Sequence, residues 1–266
     1  MKFVLSILLL AYTVQSACSL MQDEGGEFLI SNYSEFRQIG AGECTLQNIY
    51  RLTNDILATD SLIALVDSGF TSIGTKDLPF QGMLHGSGHI IQARFANFSG
   101  LFGNIDSMAV IDSLTVQIDS IETGKESGGL VGENHGLITQ CTVRAHMNGL
   151  YDLGGIAGVN TGSIVACVFV GKIEGMSECG GLVGSNSGNI LNSHALATLA
   201  VESTNAGGLA GISDGSIQQS YASVTFELPS YYVDYQIKNS SSYYVGGLVG
   251  SNVGTISESY ASSDPI

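Results

Sequence analysis

The chain has 266 residues, of which 24 are Asp or Glu and 9 are Lys or Arg, and its formal net charge is −15. This charge argues against binding to nucleic acids or to anionic membrane surfaces, because phosphate binding requires clustered Lys and Arg. Hydrophobic residues make up 44% of the chain, which is enough to bury a core. The 35 glycines favour short strands and tight turns over long helices.

Residues 1–17 have the pattern of a signal peptide. Lys2 supplies a positive charge, residues 4–14 form an uncharged and mainly apolar run, and small residues follow at Ser16 and Ala17. The run is too short to span a membrane, and no later stretch reaches the ~18 apolar residues that a span needs. The sequence therefore predicts a secreted or cell-surface protein without a transmembrane segment.

Five repeats occupy residues 128–263. Their first glycines are separated by 26, 26, 27 and 39 residues, and the unit reads G-G-L-V-G-x-N-x-G-x-I-x-x-S. The first glycines are Gly128, Gly154, Gly180, Gly207 and Gly246. Fixed internal periods of this kind are typical of solenoid proteins.

Short strands suit this unit better than helices. The apolar runs are two to four residues long, and each glycine inside a helix would cost about 1 kcal/mol relative to alanine. Glycine and asparagine adopt the left-handed backbone angles of tight turns, so we expect them at the corners of each coil. Coils of equal length stack about 4.8 Å apart, which places like residues in rows. A propeller blade needs ~40–45 residues, so the 26-residue period argues against a propeller.

The predicted fold is all-β, a parallel β-helix of about nine coils over residues 28–263. One interior row should contain the aliphatic residue that follows the glycine pair, and a second row should contain the single isoleucine. The first row is Leu130, Ile156, Leu182, Leu209 and Leu248, and the second is Ile138, Ile164, Ile190, Ile217 and Ile256.

The repeat resembles the GLUG-motif family of secreted and surface proteins, whose Gly-Leu-Val-Gly element occurs at 129–132, 181–184 and 247–250. Upstream segments at 50–56, 80–91 and 100–105 are similar to the degenerate rungs that lead into the repeats of that family, so residues 28–127 are interpreted in this way. The resemblance implies a β-helix and secretion, and it implies no fixed activity.

Some proteins with such repeats are long bacterial proteases with a separate zinc domain bearing His-Glu-x-x-His. The nearest histidine pair here, His85 and His89, encloses Gly-Ser-Gly and no Glu. We interpret both as turn residues of an N-terminal rung, and we expect no metal site and no cofactor.

A carbohydrate-active enzyme is an alternative, because many parallel β-helices are polysaccharide lyases or hydrolases. Glycoside hydrolysis requires two carboxylates ~5–9.5 Å apart. The candidate pairs are Asp112 with Asp119 and Glu174 with Glu178. Neither pair recurs at matching repeat positions. Neither pair has a basic cluster beside it that would bind an acidic sugar. The sequence therefore favours a non-enzymatic role over a carbohydrate-active enzyme.

Cys141 and Cys167 occupy the same repeat position one coil apart, and later repeats carry serine there. Their Cα atoms should lie near 4.8 Å, within the range for a disulfide, but stacked side chains point the same way. We therefore expect two stacked thiols rather than a bridge.

The step from Gly207 to Gly246 contains 13 residues more than the period, which predicts an insertion at 224–245 that leaves the stack. It contains Tyr231, Tyr232, Tyr235, Tyr243 and Tyr244. Tyrosines on a loop of a rigid scaffold suit binding to proteins or sugars, while a hairpin packed on the flank of the helix would use them equally well.

The functional prediction is a secreted or cell-surface adhesion or interaction module, with a surface glycan or a protein as ligand. The alternatives are the carbohydrate-active enzyme and a purely structural surface spacer. Because a last coil with unpaired backbone groups attracts other strands, we also expect either self-association through the C-terminal coil or a truncated sequence.

Overall fold

The computed structural model describes residues 18–57, 71–93, 99–201, 204–227 and 244–262, which form a parallel β-solenoid. Seven strands precede the regular repeats: β1 Phe28–Ile30, β2 Ile49–Leu52, β3 Met83–His85, β4 Ile90–Ala93, β5 Phe102–Ile105, β6 Val110–Asp112 and β7 Thr115–Glu122. The single helical turn, α1, is Tyr33–Phe36.

Each regular coil contributes four strands, one to each side. The first coil contains β8 Lys125–Gly128, β9 Val131–Asn134, β10 Leu137–Thr139 and β11 Thr142–Asn148. The second contains β12 Tyr151–Gly154, β13 Ala157–Asn160, β14 Ser163–Val165 and β15 Val168–Gly175. The third contains β16 Ser177–Gly180, β17 Val183–Asn186, β18 Asn189–Leu191 and β19 His194–Val201. The fourth contains β20 Asn205–Gly207, β21 Ala210–Ser213, β22 Ser216–Gln218 and β23 Tyr221–Glu227. The fifth contains β24 Tyr244–Gly246, β25 Val249–Asn252, β26 Thr255–Ser257 and β27 Tyr260–Ser262.

Four parallel sheets run along the sides of the solenoid. The nine-stranded sheet is β1-β2-β3-β6-β10-β14-β18-β22-β26, and the seven-stranded sheet is β4-β7-β11-β15-β19-β23-β27. The six-stranded sheet is β5-β9-β13-β17-β21-β25, and the five-stranded sheet is β8-β12-β16-β20-β24. The predicted parallel β-helix is therefore confirmed.

The predicted number of nine coils is wrong, since within the described residues only five coils have all four strands. Among the described residues, only the nine-stranded sheet contains as many strands as the predicted number of coils. In the N-terminal rungs the described residues supply strands to that sheet but form no regular strands on one or more of the other sides. Dividing the length by 26 counted these partial rungs as complete coils.

Both predicted interior rows are confirmed. Ile138, Ile164, Ile190, Ile217 and Ile256 occupy paired positions on consecutive strands. In the other row each backbone amide donates to the next coil, as from Leu130 to the carbonyl of Ile156 at 3.2 Å. Every member is buried except two residues of the last coil, where Leu248 is partly buried and Ile256 is exposed.

The expectation of glycine and asparagine at left-handed corners is confirmed only in part: Asn192 and N-terminal glycines such as Gly74 and Gly88 have left-handed φ angles, but among the described residues no glycine occupies the recurring corner of the regular coils. The recurring left-handed corner between the nine-stranded and seven-stranded sheets is occupied by Gln140, Ala166, Asn192 and Gln219, with φ near 50°. Each of these costs about 1–2 kcal/mol, which the hydrogen bond of its amide to the next coil offsets, as from Ala166 to Leu191 at 3.0 Å. The glycine pair is needed instead for close packing. A Cβ on Gly180 would lie 2.6 Å from the Cα of Ala210 in the next coil.

The cysteine prediction is confirmed, because Cys141 and Cys167 are free thiols in the buried core. Each points its sulfur at the backbone carbonyl two residues earlier, at 3.3 Å, as Ser193 does with its hydroxyl at 2.9 Å. Burial raises the pKa of Cys141 well above its usual range, so this thiol is held in its unreactive form. A disulfide that the sequence did not predict joins Cys18 to Cys44 beside β1.

A row of buried asparagines runs along the interior. The side-chain amide of Asn134 donates to the Oδ1 of Asn160, and the amide of Asn160 donates to the Oδ1 of Asn186, both at 2.7 Å. All three side chains are buried. Each amide therefore satisfies its neighbour and fixes the register of two coils.

Replacement of the middle asparagine should be costly. We expect Asn160→Ala to lower the free energy of unfolding by about 2–4 kcal/mol, because it leaves a buried donor and a buried acceptor without their partner. The matched control is Asn252→Ala, which lies at the same repeat position but is exposed in the last coil, and it should cost under about 0.5 kcal/mol. Urea denaturation followed by circular dichroism would measure both, and equal effects would contradict a stabilising role for the row.

Candidate interaction surface

The seven-stranded sheet presents the broadest outer face, because its central strands β11, β15, β19 and β23 are seven or eight residues long. On this face Val168, His194, Tyr221 and Tyr260 occupy one row, in register from coil to coil. The ring centroids of His194 and Tyr221 are 4.5 Å apart, and those of Tyr221 and Tyr260 are 5.3 Å apart. The rings are nearly parallel, with interplanar angles of 7°.

A second row on the same face places Val170 beside Leu196, both half-buried. Together with the aromatic row it forms an apolar strip, which we define as Val168, Val170, His194, Leu196, Tyr221 and Tyr260. Tyr260 is 60% exposed at one end of the strip. Half-exposed aromatic and aliphatic side chains on a flat sheet suit contact with a partner surface.

Charged residues border the apolar strip. The Nζ of Lys172 lies 2.8 Å from Glu174 and 3.0 Å from Glu227, and His146 lies 3.4 Å from Glu174. The hydrogen bond from Lys172 lowers the pKa of Glu174, which stays ionised. These pairs hold the long side chains in place but contribute little to stability, because they are partly exposed.

A carboxylate row lies on the five-stranded sheet. Glu126, Asp152 and Glu178 occupy the same position in three successive coils, each with φ near 50°. Burial raises the pKa of Asp152 to about 6, and the charges of Glu178 and Glu126 add to the effect. Asn205 follows in the next coil and donates to Glu178 at 3.2 Å, which relieves the repulsion at that end.

This row was missed by the sequence analysis, which examined carboxylates as pairs. The signal was present, since residues 126, 152 and 178 are each separated by the 26-residue period. The carboxylate pairs considered as candidates for an enzyme are each divided between two sheets, since Asp112 is on the nine-stranded sheet and Asp119 on the seven-stranded sheet. Glu174 and Glu178 are likewise on different sheets.

The carboxylate row makes stability depend on pH. The pKa of Asp152 is raised in the folded state, so folding favours its protonated form. The destabilising effect of its charge is fully present above about pH 6 and disappears as the pH falls below the unfolded value near 4. We therefore expect Asp152→Asn to raise the midpoint of thermal unfolding at pH 8 and to have little effect at pH 4.

Thermal unfolding followed by circular dichroism between pH 4 and pH 8 would measure this difference. The exposed residue Glu24 provides a control, and Glu24→Gln should leave the midpoint unchanged across the range. A gain in stability that is the same at pH 4 and pH 8 would contradict the electrostatic origin.

Of the five tyrosines predicted to contact a ligand, Tyr231, Tyr232, Tyr235 and Tyr243 lie outside the described residues. Tyr244 begins β24, pairs with Asn205 and is 53% exposed. Strand β23 stays in register with β19 as far as Glu227, and β24 begins at Tyr244, so residues 224–227 and 244–245 belong to the stack and the 13 additional residues fall within 228–243.

The two histidines considered as metal ligands each contact one carboxylate. His85 ends β3, with its Nδ1 2.6 Å from Asp112, and His89 precedes β4, with its Nδ1 3.1 Å from Asp55. His85 is therefore a strand residue rather than a turn residue. Within the described ranges, no group of three or more His, Cys, Asp or Glu has the arrangement of a metal site.

Among the residues that the structure describes, none of the helical segments has the length and hydropathy to cross a bilayer.

The geometry defines a β-solenoid with flat outer faces. No protein-family model matches the chain. Halomucin from Haloquadratum walsbyi is 29% identical over 130 residues, which cover 45% of this chain and 1% of halomucin. The crystal structure of a Bacteroides ovatus protein provisionally called an immunoglobulin A1 protease superposes with a TM-score of 0.64 at 18% identity, covering 92% of this chain and 78% of that one. At this identity the structural likeness shows the fold alone.

Proposed function

We propose that this chain is a secreted or cell-surface interaction module of the GLUG-motif type, which acts by adhesion rather than catalysis. The observation that carries the proposal is the apolar strip on the seven-stranded sheet, where three stacked rings and three aliphatic side chains form a flat, half-exposed surface. Flat surfaces with ordered aromatic residues suit a macromolecular partner, whereas catalysis on small substrates usually occurs in a cleft.

The net charge, the predicted signal peptide and the disulfide support the same role. A net charge of −15 keeps the outer faces hydrated and limits unspecific association. Extracellular location agrees with the predicted signal peptide and with the disulfide between Cys18 and Cys44, since disulfides persist in oxidising compartments. The protease name of the structural neighbour belongs to that protein, and the carboxylates proposed for an enzyme here lie on separate sheets.

Attachment of the purified chain to cells would test this function. We expect the double variant Tyr221→Ser/Leu196→Ser to reduce attachment by at least tenfold, because it removes the centre of the apolar strip. Both side chains point outward from β23 and β19, so the fold should persist, as circular dichroism would show.

A matched control is Thr139→Val on the outer face of the nine-stranded sheet, where the next coil already carries Val165. This variant should attach like the unchanged protein. Equal attachment of the strip variant would contradict the proposal. Release of reducing ends from a polysaccharide panel by the unchanged protein would favour the enzymatic alternative.

Self-association through the last coil is a second part of the proposal. Among the described residues, β24–β27 pair with neighbours on one side only, and Val245, Val253 and Ile256 are exposed there. The edges of four sheets end together, and unpaired strand edges attract the strands of another chain. We expect the sedimentation coefficient to rise with protein concentration, and Val253→Lys to reduce that rise. A monomer at every concentration would contradict this part alone.

A further inference from the structure

A small groove lies at the corner between the six-stranded and nine-stranded sheets, across the third, fourth and fifth coils. Its volume is about 240 Å³. The lining residues that matter here are Ser185, Ser187, Ile212, Ser213, Asp214 and Val253. The groove is separate from the apolar strip, which is on the seven-stranded sheet.

The groove exists because the repeat changes at two outer positions. Val159 of the second coil is followed in the same row by Ser185, and the adjacent position changes from Thr161 to Ser187. The loss of these side-chain carbons leaves a depression. Ile212 and Val253, from the next two coils, supply apolar side chains along it.

The interior asparagine row is interrupted beneath the same place. The amide of Asn186 donates to the Oγ of Ser213 at 3.1 Å, where the other coils have asparagine. Ser213 is only 3% exposed. The next residue in the row, Asn252, donates instead to the carbonyl of Gly254 at 3.2 Å. Among the hydrogen bonds of the described residues, the Ser213 hydroxyl accepts but does not donate.

These groups together have the chemistry of a sugar site. Hydroxyls of Ser185 and Ser187 donate and accept, and the carboxylate of Asp214 accepts from adjacent sugar hydroxyls. Ile212 and Val253 would contact the C–H face of a ring. The volume falls below the ~300–1,000 Å³ of pockets for drug-sized ligands, which suits one pyranose unit.

We infer that this groove binds a single neutral pyranose unit of a surface glycan, with Ser185, Ser187 and Asp214 as its hydrogen-bonding residues. The inference goes beyond the proposed function, because the groove is a second site on a different part of the solenoid from the apolar strip. Among the described residues that line the groove, Asp214 alone is charged, so uronic acids and other anionic sugars are repelled.

Titration followed by two-dimensional amide NMR would test the inference, with glucose, galactose, mannose and N-acetylglucosamine as neutral probes and glucuronate as the anionic probe. At least one neutral sugar should shift the amides of residues 185–187 and 212–214, and glucuronate should not. Asp214→Asn should weaken binding about tenfold or more, because a charge-assisted hydrogen bond is lost.

The double variant Ser185→Val/Ser187→Thr should abolish binding by filling the groove. It restores the residues that the second coil carries at these positions, so the fold has already accommodated them. Thr139→Val on the nine-stranded sheet serves as the control and should bind normally. Absence of shifts with all four neutral sugars, unchanged binding by the filled variant, or preference for glucuronate would overturn the inference.

The same samples separate the two proposals. If cells still attach while no neutral sugar binds, the groove assignment fails and the interaction function stands. If a sugar binds in the groove while the chain does not attach to cells, the interaction function fails and the groove assignment stands.

Discussion

The structure depends on backbone hydrogen bonding from each coil to the next, with the strands of the five regular coils parallel and in register. Such pairing on four sides at once requires coils of nearly equal length, which the separations of 26, 26 and 27 residues satisfy. The longer step from Gly207 to Gly246 agrees with this constraint, because β23 and β24, before and after residues 228–243, both remain paired with the preceding coil. Any change in coil length must therefore leave the stack at a corner.

Register also repeats every side chain at about 4.8 Å, whatever its chemistry. For isoleucine and asparagine this is favourable, since the first fill the core and the second satisfy one another. For Glu126, Asp152 and Glu178 it is unfavourable, because like charges cannot move apart along a rigid axis. The outer aromatic row follows the same rule, and the parallel rings of His194 and Tyr221 result from the backbone spacing.

The regular repeats could be predicted from the sequence because residues separated by the 26-residue period are paired in neighbouring coils. Features that depend on contacts outside the period could not. The disulfide between Cys18 and Cys44 spans 26 residues, but it lies in the N-terminal part, where no repeated motif in the sequence marks the register. The role of Gly180 was misread because its constraint is the backbone of the next coil, which composition does not reveal. The carboxylate row follows the period, but detecting it in the sequence requires comparing single positions from coil to coil. Of the candidate tyrosines, only Tyr244 falls within the described residues.

Departures from the repeat differ in what they cost. Replacing the outward Val159 by Ser185 in the next coil removes little buried area, so the fold tolerates it freely. Replacing an inward asparagine by Ser213 interrupts a row of buried hydrogen bonds, which is a loss to stability. Both replacements, at Ser185 and at Ser213, border the same groove. Local deviations that lower stability tend to coincide with functional positions. In a solenoid built from one unit, the positions where consecutive coils differ are therefore more informative about binding than the positions where they agree.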